Sequence, residues 1–181
     1  MSKDNKKKVQ LLIQDIEKGN EEQIVNALKS LQVHGDISII KPLIIRWSQG
    51  VSEKTEQQIL SFIGDIKISD SAAQIVEFLE DNSFKNIRQK LLTTVWNSKV
   101  DYSDFLSNFV GIAVHGDFME ALECLTIIEN MEGPFQEFQF LDAQVELSDF
   151  AEMKNVTEQK KQIMSEIAFI IKDLEQKHIE F

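Results

Sequence analysis

Apolar residues recur along the chain at spacings of three and four, in clusters that polar segments separate. Ile24, Leu28 and Leu31 form the first cluster, Leu60 with Ile63 the second, Leu92 with Val95 the third, and Leu122 with Leu125 and Ile128 the fourth. Leu28, Leu60 and Leu92 lie 32 residues apart, and Leu122 follows 30 further on. Such spacings place side chains on one face of an α-helix. A second series is interleaved with the first: Ile40, Leu43, Ile44 and Trp47; Ala72, Ile75, Val76 and Leu79; Leu106, Phe109 and Val110; then Phe135, Phe138, Phe140 and Leu141. The chain therefore reads as repeated pairs, helix A then helix B, in which each pair buries its apolar face only against its neighbours.

Capping residues set the phase. Asn20 with Gln23, and Asp117 with Glu120, have the spacing of a capping box. Ser52, Asp70, Ser83 and Ser103 are further N-cap candidates, and Gly19, Gly35 and Gly50 stand where helices should end. Pro134 suits a first helical turn, as does Pro42 if Ser38 caps. The expected map has an N-terminal helix near 5–18, pairs over 21–33 with 38–49, 53–66 with 70–81, 84–98 with 102–115, and 118–131 with 134–150, and a capping helix over 156–178 started by Asn155 or Thr157. The linkers are short, so 1–181 is expected to form a single repeat domain with one continuous core.

Within this pattern, residues 27–44 resemble a HEAT-repeat unit: Ala27, Leu28 and Leu31, then Gly35-Asp36, then Ile40, Pro42, Leu43 and Ile44. The second unit keeps Leu60, Ile63, Asp70, Ala72, Ile75 and Val76 without the proline, and the later units depart further as Phe replaces smaller aliphatics. The resemblance implies an all-α fold, a right-handed superhelix (an α-solenoid) of about four to five helical hairpins. Proteins of that family are mostly scaffolds and adaptors with no shared chemistry.

Composition agrees with a folded helical chain: 43% hydrophobic residues, with only 2 Pro and 7 Gly. One cysteine excludes an internal disulfide. Gln14, Asp15 and Glu17 interrupt the N-terminal apolar run, which argues against a signal peptide, and a cytoplasmic location is expected.

Charge changes the picture more. Residues 1–100 carry 14 Lys/Arg against 13 Asp/Glu, and residues 154–181 carry five of each. Residues 101–153 carry 12 Asp/Glu and no Lys or Arg. Oppositely charged pairs one turn apart normally support a surface helix, and this segment forgoes them. It is either a solubilising bias or a docking surface for a basic protein, on which Asp104, Glu120, Glu123, Glu137 and Asp142 are the candidate contacts. Phe135, Phe138, Phe140 and Leu141 do not share one narrow stripe; a broad core face is expected, the alternative being that part of the set is exposed for interaction.

No catalytic pattern emerges. His34, His115 and His178 are widely separated, and no H-x-x-x-H, C-x-x-C or Gly-rich phosphate loop occurs. Cys124 lies beside Leu122 and Leu125 with no local base, as a small residue near a helix interface does. Gly64 and Gly111 suit close helix contacts. The chain is therefore expected to be non-enzymatic, without metal or cofactor. Lys6–Lys8 is the one basic run, which disfavours nucleic acid as the partner. Self-association through the apolar face of the C-terminal helix, with Ile163, Met164, Ile167, Ile170, Ile171 and Leu174, is the alternative role.

Overall fold

The computed structural model describes residues 3–31, 37–66, 71–98 and 100–179. Among them are ten α-helices and no strand: α1 Lys3–Lys18, α2 Glu21–Leu31, α3 Ile40–Ser48, α4 Glu53–Gly64, α5 Ser71–Glu80, α6 Lys85–Asn97, α7 Leu106–His115, α8 Phe118–Glu129, α9 Glu137–Glu152 and α10 Glu158–Ile179. Every expected helix has its counterpart. Short 3-10 turns precede α3, α6 and α7. No described helix is long and apolar enough to cross a membrane. His34, Gly35, Asp36 and Asp70 lie outside the described residues.

Local hydrogen bonding explains most of the boundaries. Before α2, Asn20 and Gln23 exchange side-chain to backbone bonds of 2.9 and 3.0 Å. Before α8, Asp117 and Glu120 do the same, both at 2.9 Å. Ser52 caps α4, and the Thr157 hydroxyl accepts the Lys160 N–H at the start of α10. Gly50 follows α3 at φ +98°, a conformation that favours glycine.

Two expectations shift. Asp101, rather than Ser103, organises the approach to α7, because its carboxylate accepts both the Ser103 N–H (2.9 Å) and hydroxyl (2.7 Å). Pro134 stands three residues before α9 instead of inside its first turn. It follows Gly133 (φ +81°) through a cis peptide, and α9 starts only at Glu137.

The chain divides into two compact units, Met1–Phe78 with Ser83–Val100, and Leu79–Asn82 with Asp101–Phe181. In the first, α2 packs on α4 and α4 on α6, while α1 packs on α2 and α3. Its core is Ile16, Ile24, Leu28, Leu31, Ile40, Leu43, Ile44, Trp47, Ile59, Ile63, Leu91 and Leu92, all buried. Thr55 and Ile59 hold the buried side of α4, and Leu60 of the expected series is only half-buried.

In the second unit α7 packs on both α8 and α9, and α10 covers α8 and α9. At Gly111, on α7, a Cβ would lie 3.3 Å from the carboxylate carbon of Glu146 on α9, a tight contact with the end of a flexible side chain and not with the α9 backbone. At Gly64 the corresponding nearest atom is 3.6 Å away, an ordinary contact, so that position does not require glycine.

The fourth apolar cluster lies in a different register from the expected one. Leu122 is 38% exposed, and Ala121, Cys124, Leu125 and Ile128 face the core. α8 is apolar on most of its circumference, so tertiary packing selects its buried face.

Candidate functional surface

α9 carries the most distinctive surface of the acidic segment. Gln139, Phe140 and Ala143 turn inward, where Phe140 meets Phe135 with ring centroids 5.6 Å apart. Phe138, Leu141 and Val145 turn outward, 58, 53 and 60% exposed. Their spacing of three and four aligns them in one row opposite the core. The expected broad core face is thus corrected. Phe135 and Phe140 are core, while Phe138 and Leu141 begin an exposed row that Val145 continues. Its flanks carry exposed Glu137, Asp142, Asp149 and Glu152.

The base of α9 is firmly placed. The Gln139 side chain is buried, accepts the Gln136 N–H at 2.6 Å and donates to the Ser103 carbonyl at 2.8 Å. The Ser103 hydroxyl accepts the Gly133 N–H at 3.2 Å. At the edge facing α10, Gln144 donates to Glu175 at 2.9 Å. On the same edge Glu137, Phe140, Glu175 and His178 line a cavity of about 290 Å³. The Phe140 and His178 rings lie 5.6 Å apart.

The five candidate contacts separate by location. Asp104, Glu137 and Asp142 are exposed, and Glu123 is half-buried. Glu120 is only 2% exposed, with its carboxylate bound to the Asp117 N–H. It serves as a cap and lies outside any exposed surface. Glu137 and Asp142 flank the α9 row, whereas Asp104 lies ahead of α7 and Glu123 on α8.

Lys160 had no signal in the sequence. Its ammonium donates to the Val114 carbonyl at 2.7 Å and the Gly116 carbonyl at 2.5 Å, at the end of α7. It also lies 5.9 Å from the centre of the Phe150 ring. Burial lowers its pKa, against the opposing pull of Asp117 and Glu120. In the first unit, Glu56 accepts from the Trp47 indole (2.9 Å) and Lys90 (2.6 Å), joining α3, α4 and α6.

Other candidate chemistry is dispersed. Cys124 is buried in α8. His115 Nε2 lies 3.3 Å from Glu146. Among the described residues, no three His, Cys, Asp or Glu side chains converge as a metal site would require. Of the apolar face expected for self-association, Ile163, Met164, Ile167 and Ile171 are buried and Ile170 and Leu174 half-buried, while Phe169, 74% exposed, lies on the opposite side of α10.

Comparison with known proteins gives no match to a family model, a curated protein or a solved structure.

Proposed function

We propose that the protein is a non-enzymatic interaction module, a scaffold or adaptor of the HEAT-like α-solenoid type, whose acidic segment docks a basic protein partner in the cytoplasm. The observation that carries this reading is the α9 surface: an exposed apolar row inside a segment of 12 acids and no Lys or Arg. Exposed apolar rows are characteristic of surfaces that become covered, and uncancelled charge selects the partner's sign and speeds encounter. The solenoid assignment is supported by the stacking of alternate helices within each unit, α2 on α4 on α6 in one, and α7 on α9 with α8 on α10 in the other.

Affinity capture with the intact chain across a salt gradient tests the reading, beside a variant carrying Asp104→Asn, Glu137→Gln and Asp142→Asn. Basic proteins should be retained by the unaltered chain, elute as salt rises, and be depleted from the neutralised variant. Equal retention by both chains would sink the docking role.

A further inference from the structure

We propose that the outer face of α9 seats a basic amphipathic helix of the partner protein, and that one arginine of that helix enters the cavity between α9 and α10. This rests on the acidic-docking reading and gives it a partner of defined shape.

The row from Phe138 to Val145 spans two helical turns, about 10 Å at a rise of 1.5 Å per residue. It is narrow, and its acids lie on both sides: Glu137 toward α10, Asp142 and Asp149 away from it. A wholly apolar partner would strip water from those carboxylates without replacing it. A basic but polar surface would leave the row in water. A helix with apolar residues at i, i+3 or i+4, and i+7, flanked by Lys or Arg, satisfies both requirements. Nucleic acid and anionic membranes carry the wrong sign.

The cavity adds a discriminating contact. At about 290 Å³ and lined by four side chains, it has room for a single long side chain. Glu137 comes from α9 and Glu175 from α10, and the Gln144 bond steadies Glu175. His178 supplies an exposed ring, and the buried Phe140 forms the floor beneath it. A guanidinium is planar, bonds carboxylates in a fork and stacks on rings, whereas an ammonium offers a point charge. The arrangement therefore favours arginine over lysine.

The test titrates the full chain with three synthetic helical peptides that share a leucine stripe and differ in flanks of arginine, lysine or glutamate. Fluorescence anisotropy at low and high salt is the readout. The arginine peptide should bind most tightly, salt should weaken it, and the glutamate peptide should not bind. Phe138→Ser with Val145→Ser should weaken the arginine peptide by about tenfold or more. Glu137→Gln with Glu175→Gln should abolish the preference for arginine over lysine. Phe169→Ser, on the far face of α10, should change nothing. All five side chains are at least partly solvent-exposed, so circular dichroism should be unaltered throughout.

Salt-dependent binding that ignores the row and cavity variants would overturn this site and leave the acidic-docking reading standing. Absence of binding by both basic peptides would overturn the helix proposal, and the neutralisation experiment would then decide the broader reading separately. Self-association that buries Phe138 and that the arginine peptide does not reverse would also overturn the proposal, in favour of a second copy.

Discussion

The ammonium of Lys160, at the start of α10, donates a hydrogen bond to the carbonyl of Val114, 2.7 Å away near the end of α7. Helices end with carbonyls that have no partner of their own, and a cation there also suits the helix dipole. Replacing Lys160 with Met keeps much of the aliphatic stem but removes that donor. The expected cost is about 1.5–3 kcal/mol, as for a hydrogen bond to a charged group. Urea unfolding should show a lower midpoint, and an unchanged midpoint would show that water serves the α7 carbonyls equally well.

Gln139 offers a second test within the same unit. Gln139→Leu preserves bulk but deprives the Ser103 carbonyl and the Gln136 N–H of their buried partner. A loss of about 1–3 kcal/mol is expected from leaving such groups unsatisfied. Hydrogen exchange should show the protection of the first turn of α9 falling before that of α7. Uniform loss across the unit would mean that Gln139 acts through packing alone.

Acid should weaken the first unit through Glu56 and Glu21. The Lys90 hydrogen bond, then that of Trp47, holds Glu56 below its ordinary pKa. Hydroxyl bonds from Ser52 and Thr55 do the same for Glu21. The folded state therefore binds fewer protons than the unfolded chain below the usual glutamate value of about 4.3. This contribution is complete above that value and is lost as pH falls through the folded pKa values. Glu56→Gln should flatten part of the acid-induced fall in stability, followed by fluorescence of buried Trp47. Parallel pH curves for variant and parent would exclude Glu56 as a source.

Gly111 and Glu146 should be energetically coupled. Alanine at a helix interior gains up to about 1 kcal/mol over glycine, but here its Cβ meets the Glu146 carboxylate at 3.3 Å. Gly111→Ala should stabilise more in a Glu146→Ala background than in the parent chain. A double-mutant cycle measures the difference. Simple additivity would show that the Glu146 side chain moves aside freely.

These relationships differ in how visible they are along the chain. The capping boxes at Asn20/Gln23 and Asp117/Glu120 close over three residues, so residue type and spacing reveal them. The buried faces of α2 and α3 follow from a narrow apolar stripe. α8 and α9 are different. Phe118, Met119 and Leu122 on one side of α8 are as apolar as Cys124, Leu125 and Ile128 on the other, and periodicity does not choose between them. The same ambiguity conceals the outward turn of Phe138, Leu141 and Val145. Lys160 is hidden for another reason: its bond to Val114 crosses 46 positions, and nothing local marks it. Of the candidate contacts, the negative field was legible from composition, and the capping-box spacing with Asp117 already marked Glu120 as engaged, whereas the depth of its burial required the three-dimensional arrangement.

The placement of α10 has a consequence for the order in which the chain is made. α7, α8 and α9 precede α10 in the chain and are therefore made before it, yet α8 and α9 pack against α10, whose Ile163, Met164, Ile167 and Ile171 are buried. Until those residues emerge, the nascent second unit presents an open apolar flank and an uncapped end of α7. A pause in translation ahead of α10 should therefore lengthen the time during which that flank is open to misassembly.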